Sequence, residues 1–119
     1  MARILLIDDS ALARKRCRQE IEADGHEIFE ASDGTAGLEL VDRNIPDLIV
    51  LDLLMPGETG TSVLEKLQIK HPSIPVIVLT ADVQCETREG CLRRGAKAVL
   101  NKFRDPDQFK QTVREILGE

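Results

Sequence analysis

Three features of the sequence predict a doubly wound α/β sandwich, a five-stranded parallel sheet with helices on both faces. Short apolar runs alternate with longer amphipathic segments along the 119 residues. The runs Ile4-Leu5-Leu6-Ile7, Leu48-Ile49-Val50-Leu51 and Val76-Ile77-Val78-Leu79 lack apolar–polar alternation, as expected of strands buried on both faces of a parallel sheet. The length fits one domain, residues 1–119, and leaves no room for a second core of ordinary size.

After the first strand, a helix is expected near Ser10 and a stop at Asp24-Gly25, where glycine suits a left-handed helix end. Glu27-Ile28-Phe29-Glu30-Ala31 is a more polar second strand, followed by a helix near Asp33-Gly34. Pro46 punctuates the approach to the third strand. A third helix is placed near Thr61, and Pro72 and Pro75 mark the way to the fourth strand. The fourth helix is expected near Asp82 with a stop at Arg94-Gly95, ahead of Lys97-Ala98-Val99-Leu100. The last helix has the plainest start: Asp105 as cap, Pro106 in the first helical position, and Gln108 placed to complete a capping box. Phe109, Val113, Ile116 and Leu117 then fall on one helical face. With right-handed crossovers and the two weak strands at the edges, the order is 2-1-3-4-5, the flavodoxin-like arrangement.

Composition narrows the function. The chain is 42% hydrophobic and 31% charged with a formal charge of -5, which fits an acidic folded globule. That balance argues against a nucleic-acid partner, whose phosphates call for clustered Lys and Arg. Without Trp or Tyr, and with Phe29, Phe103 and Phe109 far apart, there is no base-stacking surface. No apolar run approaches the ~20 residues of a membrane helix, and Asp8-Asp9 interrupt the opening too early for a signal-peptide core. No membrane partner is therefore expected. Cys17, Cys85 and Cys91 form no CxxC pair and read as reduced thiols of a cytoplasmic protein. His26 and His71 stand alone, which gives a zinc site little support.

In such sheets ligands bind beyond the carboxyl ends of the strands. Strand one runs into Asp8-Asp9, strand three into Asp52, strand four into Thr80, and strand five into Asn101-Lys102. Singly, each has a plain structural role: Asp8 and Asp9 as helix caps, Asp52 and Thr80 as turn residues, Lys102 as a surface charge. Jointly they place three acids, a hydroxyl and an amine on one rim of an apolar sheet. Crowded carboxylates repel unless a cation intervenes, and a hard divalent ion, Mg2+, suits oxygen ligands. A carboxylate can also attack phosphorus and hold an aspartyl-phosphate. Asp52, alone on the central strand, is the better nucleophile; Asp8 and Asp9 are better placed to share the metal.

Ile4-Leu5-Leu6-Ile7-Asp8-Asp9-Ser10, Asp52-Leu53-Leu54-Met55-Pro56 with Gly60, Thr80-Ala81 and Lys102 together resemble the receiver domain of two-component response regulators along essentially the whole chain. The resemblance implies that a sensor histidine kinase phosphorylates Asp52. It further implies that Asp8, Asp9, Asp52 and the Leu54 backbone carbonyl bind Mg2+, and that Thr80 and Lys102 engage the phosphoryl group. The domain would catalyse only its own phosphorylation and dephosphorylation. Its output would be a changed surface around helix four, strand five and helix five, read by a downstream protein or a fused output domain.

Two positions depart from the family pattern. Phe103 follows Lys102 where proline in a cis peptide is usual, so a trans bond and a reshaped loop are expected. Val99 stands where the family usually has Tyr or Phe, and its branched side chain has little rotamer freedom. Coupling to a partner is then expected through backbone or helix-four shifts. Leu54 and Asp82 occupy the positions that in the family flank the path of attacking water, so apolar Leu54 is expected to lengthen the phosphoryl lifetime. The alternative function is a phosphorylation-independent interaction module. Two enzymes on this scaffold fit less well: Asp8 and Asp9 would repel the phosphate of FMN, and a carboxylate-nucleophile phosphatase would want an acid where Leu54 stands. The charged residues of helices four and five (Arg88, Glu89, Arg93, Arg94, Lys110, Arg114 and Glu115) read as a solvated face.

Overall fold

The computed structural model describes residues 2–81, 84–102 and 105–118, with Cys85 described by its backbone. The order of elements is β1 (Arg3–Ile7), α1 (Ala11–Glu22), β2 (Glu27–Ala31), α2 (Gly34–Arg43), β3 (Leu48–Asp52), α3 (Gly60–Lys70), β4 (Val76–Thr80), α4 (Cys85–Arg93), β5 (Ala98–Asn101) and α5 (Pro106–Leu117). The strands form one parallel sheet in the order β2-β1-β3-β4-β5, as the sequence predicts, with the two weaker runs at its edges.

Alternate residues of the central strands enter two cores. Ile4, Leu6, Leu48, Val50, Ile77 and Leu79 face Cys17 and Ile21 of α1 and Phe109 and Val113 of α5. Leu5, Ile7, Ile49, Leu51, Val76 and Val78 face Val41 of α2, Val63, Leu64 and Leu67 of α3, and Cys91 of α4. β3 and β4 are buried throughout, which explains why they lack the period of two seen in half-exposed strands.

Local chemistry sets the helix ends. Ser10, Asp33 and Thr59 accept the amides of Ala13, Ala36 and Ser62 as N-caps. Gly25 and Gly95 stop the first and fourth helices with φ of 83° and 100°, a conformation that side chains with a Cβ rarely adopt. Three expectations shift. The third helix begins at Gly60, because Thr59 and not Thr61 offers the capping hydroxyl. The fourth begins at Cys85 behind Gln84, and Asp82 lies outside the described residues. Asp105 caps the last helix through the Asp107 amide, one position earlier than a capping box uses. Cys17 and Cys91 are buried, one in each core. Phe103, and with it the expected trans bond and loop, lies outside the described residues.

Gly60 ties α3 to the end of β3. Its amide donates to the Leu53 carbonyl at 3.1 Å, and a Cβ there would strike the Asp52 carbonyl oxygen and lie 2.5 Å from Leu53 Cα. Because backbone cannot swing aside as a side chain does, Gly60→Ala is expected to destabilise the fold by about 1–3 kcal/mol. Thermal unfolding followed by circular dichroism checks this.

Candidate functional site

Register brings four strand ends to one rim. Ile7 pairs with Leu51, Asp52 with Leu79, and Thr80 with Asn101. Asp8 and Asp9 follow β1, Asp52 closes β3, Thr80 closes β4, and Lys102 follows β5, its amide donating to the Thr80 carbonyl at 2.9 Å. Asp8, Asp52 and Thr80 are buried while Asp9 is exposed, so the group opens to solvent on one side.

Asp8, Asp9 and Asp52 each present an oxygen, all within 4.8 Å of one another. Lys102 Nζ lies 3.1 Å from Asp8 Oδ2 and 3.4 Å from Asp52 Oδ2. Asp8 Oδ1 accepts the Ser10 amide at 2.9 Å, and Asp52 Oδ1 accepts the Leu54 amide at 3.4 Å. Asp52 Oδ2 is buried without a hydrogen bond among the described residues; its closeness to Lys102 is that of an ion pair. The sequence-based grouping of Asp8, Asp9, Asp52 and Lys102 thus holds together in space. Thr80 shares the rim on the strand next to Asp52, and Leu54 meets the cluster through its backbone.

Electrostatics follow from this crowding. Burial, and then the charge of Asp8, push the Asp52 carboxyl up to about 6, with Lys102 pulling the other way. For Lys102 burial opposes the charge, but the hydrogen bond to Asp8 and the charges of Asp8 and Asp52 prevail and raise the ammonium above its ordinary value. Among the described residues, three carboxylates face one ammonium. The remaining negative charge, on oxygen donors alone, matches a hard divalent cation in both charge and ligand type. The cluster therefore fits Mg2+.

One participant had no clear signal in the sequence. Arg14 of α1 donates from Nη1 to the Asp8 carbonyl at 2.6 Å. In the sequence it is one of several basic residues with Lys15, Arg16 and Arg18, and only the fold turns it toward the rim. The face expected to be solvated on α4 and α5 is also partly engaged. Arg88 donates to the Val99 carbonyl at 3.2 Å, Arg94 pairs with Glu65 at 2.9 Å, and Arg114 pairs with Asp24 at 2.9 Å.

Because the Asp52 carboxyl sits above its unfolded value of 3.8, its ionisation opposes folding as pH rises through about 6. Asp52→Asn removes that cost. In EDTA the variant is expected to melt above the parent at pH 8, by up to about 3 kcal/mol of stability, with the gap closing as pH falls below the folded value. Millimolar Mg2+ is expected to raise the parent's melting temperature by binding the folded state, and Asp9→Asn to lose most of that rise. Calorimetric melts across pH, with and without MgCl2, check both.

Comparison with known proteins agrees with this geometry. Residues 4–114 match the response regulator receiver domain family. The chain is 31% identical to the protein PilH of Pseudomonas aeruginosa over 120 residues, covering 99% of both. It is 37% identical to the nitrate/nitrite response regulator protein NarL of Escherichia coli K12, covering 96% of this chain and 54% of that one. It thus spans nearly all of PilH and about half the length of NarL and of Mycobacterium leprae MprA. Among solved structures, a CheY-like receiver domain protein from Methanospirillum hungatei superposes with a TM-score of 0.93 at 27% identity, covering 99% of this chain and 94% of that one. Vibrio cholerae chemotaxis protein CheY4 superposes with a TM-score of 0.90 at 25% identity, covering 98% of each.

Proposed function

The chain belongs to the response regulator receiver domain family, whose general function is a phospho-aspartate switch in two-component signalling, and on that premise we propose that Asp52 is its phospho-acceptor. The observation that carries this reading is a buried Asp52 carboxylate facing Lys102 at 3.4 Å, with Asp8 and Asp9 oxygens within 4.8 Å.

Asp8, Asp9, Asp52 and the Leu54 backbone carbonyl are the groups that would hold Mg2+. When bound, the cation supplies positive charge that offsets the repulsion between carboxylates and phosphoryl oxygens. An Asp52 carboxylate oxygen attacks the phosphorus of a phosphohistidine on a sensor histidine kinase. The new O–P bond forms as the P–N bond breaks, and the imidazole leaves and recovers a proton from solvent. Lys102 moves its ammonium from Asp52 to the phosphoryl oxygens, and the Thr80 hydroxyl donates to another. The chain's chemistry is confined to its own phosphorylation and dephosphorylation, and its partners are that kinase and a downstream protein or fused output domain. Residues 1–119 act as one receiver domain, in the cytoplasm; no helix among the described residues is long and apolar enough to cross a membrane.

The output surface is that of α4, β5 and α5. Val99 is buried and β-branched, so it has little freedom to swing on phosphorylation. The Arg88 bond to the Val99 carbonyl, which ties α4 to β5, is the element that registers movement of Thr80 and Lys102 at the far side of the rim.

Intact mass after incubation with a small phosphodonor and Mg2+ tests the reading. The parent is expected to gain one phosphoryl group and Asp52→Asn none. A folded parent without an adduct would favour a phosphorylation-independent interaction module. Leu54 is exposed at the mouth of the site, where its apolar side chain hinders water. Leu54→Asn is accordingly expected to shorten the phosphoryl lifetime several-fold, read as the decay of the adduct.

A further inference from the structure

Both backbone polar groups of Asp8 are tied to the edge strand β2. The Asp8 amide donates to the Ala31 carbonyl at 3.1 Å. The Asp8 carbonyl accepts Arg14 Nη1 at 2.6 Å, while the same guanidinium donates through Nε to Glu30 Oε1 at 3.0 Å. Arg14 is therefore a strut between the acidic turn and the residue next to Ala31. It is largely covered, with 16% of its side chain exposed. Its anchor is charged and held. Burial works against the Glu30 carboxylate, but hydrogen bonds from Arg18 and Arg14 keep it below its ordinary value.

We infer that Arg14 is a positioning residue for the divalent cation. It fixes the Asp8–Asp9 turn against β2 so that both carboxylates meet the ion without first paying the entropy of ordering that turn. The inference rests on the reading of the acid cluster as a Mg2+ site. Its sign is unusual. On charge alone, removing a cation from beside a Mg2+ pocket strengthens binding. Removing a strut weakens it, by the roughly 10- to 100-fold that loss of an outer partner of a metal ligand produces.

Titration calorimetry with MgCl2 at pH 8 separates the two. Arg14→Ala is expected to bind Mg2+ at least ~10-fold more weakly than the parent. Arg14→Lys keeps the charge but cannot span the carbonyl and Glu30 together, and is also expected to weaken binding. Lys15→Ala removes the same charge from an exposed neighbour and keeps the parent affinity or tightens it. Phosphorylation of Arg14→Ala by a small phosphodonor is expected to need more Mg2+ for its half-maximal rate while approaching the parent rate at saturation. Equal or tighter Mg2+ binding by folded Arg14→Ala overturns the inference, as does a parent-like Arg14→Lys. Failure of both variants to fold overturns it too, since Arg14 would then be a pillar of the fold. A parent that binds Mg2+ but takes no phosphoryl group refutes the phospho-acceptor reading, while the affinities still decide the role of Arg14.

Discussion

The repulsion between carboxylates at the ends of β1 and β3 is the constraint on which the rest of the site depends. A parallel sheet of this order sets those two strand ends side by side, and burial deprives Asp8 and Asp52 of the water that would screen them. Lys102, arriving from β5 on the far side of β4, supplies an ammonium within ion-pair distance of both. The fold thus maintains a cluster that is only partly neutralised. Such a cluster favours any state that adds positive charge or removes negative charge, which is the bias a chemical switch requires.

The sheet can sustain this because both of its faces pack into apolar cores. The two cores lock the central strands from both faces, so the strand ends are held by packing that owes nothing to the acids. Gly60, with no side chain, lets α3 close against the backbone of Asp52 and Leu53. Rigidity below the rim and charge imbalance at it are complementary: the imbalance cannot relax by moving strands apart, and persists until the chemistry of the site removes it.

Much of this was legible in the sequence. Unbroken apolar runs reveal strands covered on both faces, and an acid after such a run belongs at a known end of the sheet; Asp8, Asp52, Thr80 and Lys102 could therefore be placed together from order alone. What stayed hidden depended on side-chain reach. Arg14 differs from Lys15 and Arg16 only in the direction in which α1 presents it, and a helix cap at Thr59 in place of Thr61 turns on which hydroxyl meets an amide. The Arg88 bond to Val99 is equally invisible in a string, since it joins a side chain to a main-chain carbonyl and leaves no complementary residue type behind.

The outermost strand has a second duty. As an edge, β2 turns main-chain groups of its outer side toward any extended segment of another molecule, and the Ile28 carbonyl among them accepts Arg18 Nη2 at 3.3 Å. Glu27 and Glu30 place charge along that edge, each met by arginine from its own chain: Arg3 for the first, Arg14 and Arg18 for the second. One carboxylate thus both steadies the rim and guards the border of the sheet against association. Drift of Glu30 to an apolar residue would therefore be felt twice, as slackness at the rim and as a tendency to aggregate, so sequence freedom there is narrower than its partial exposure suggests.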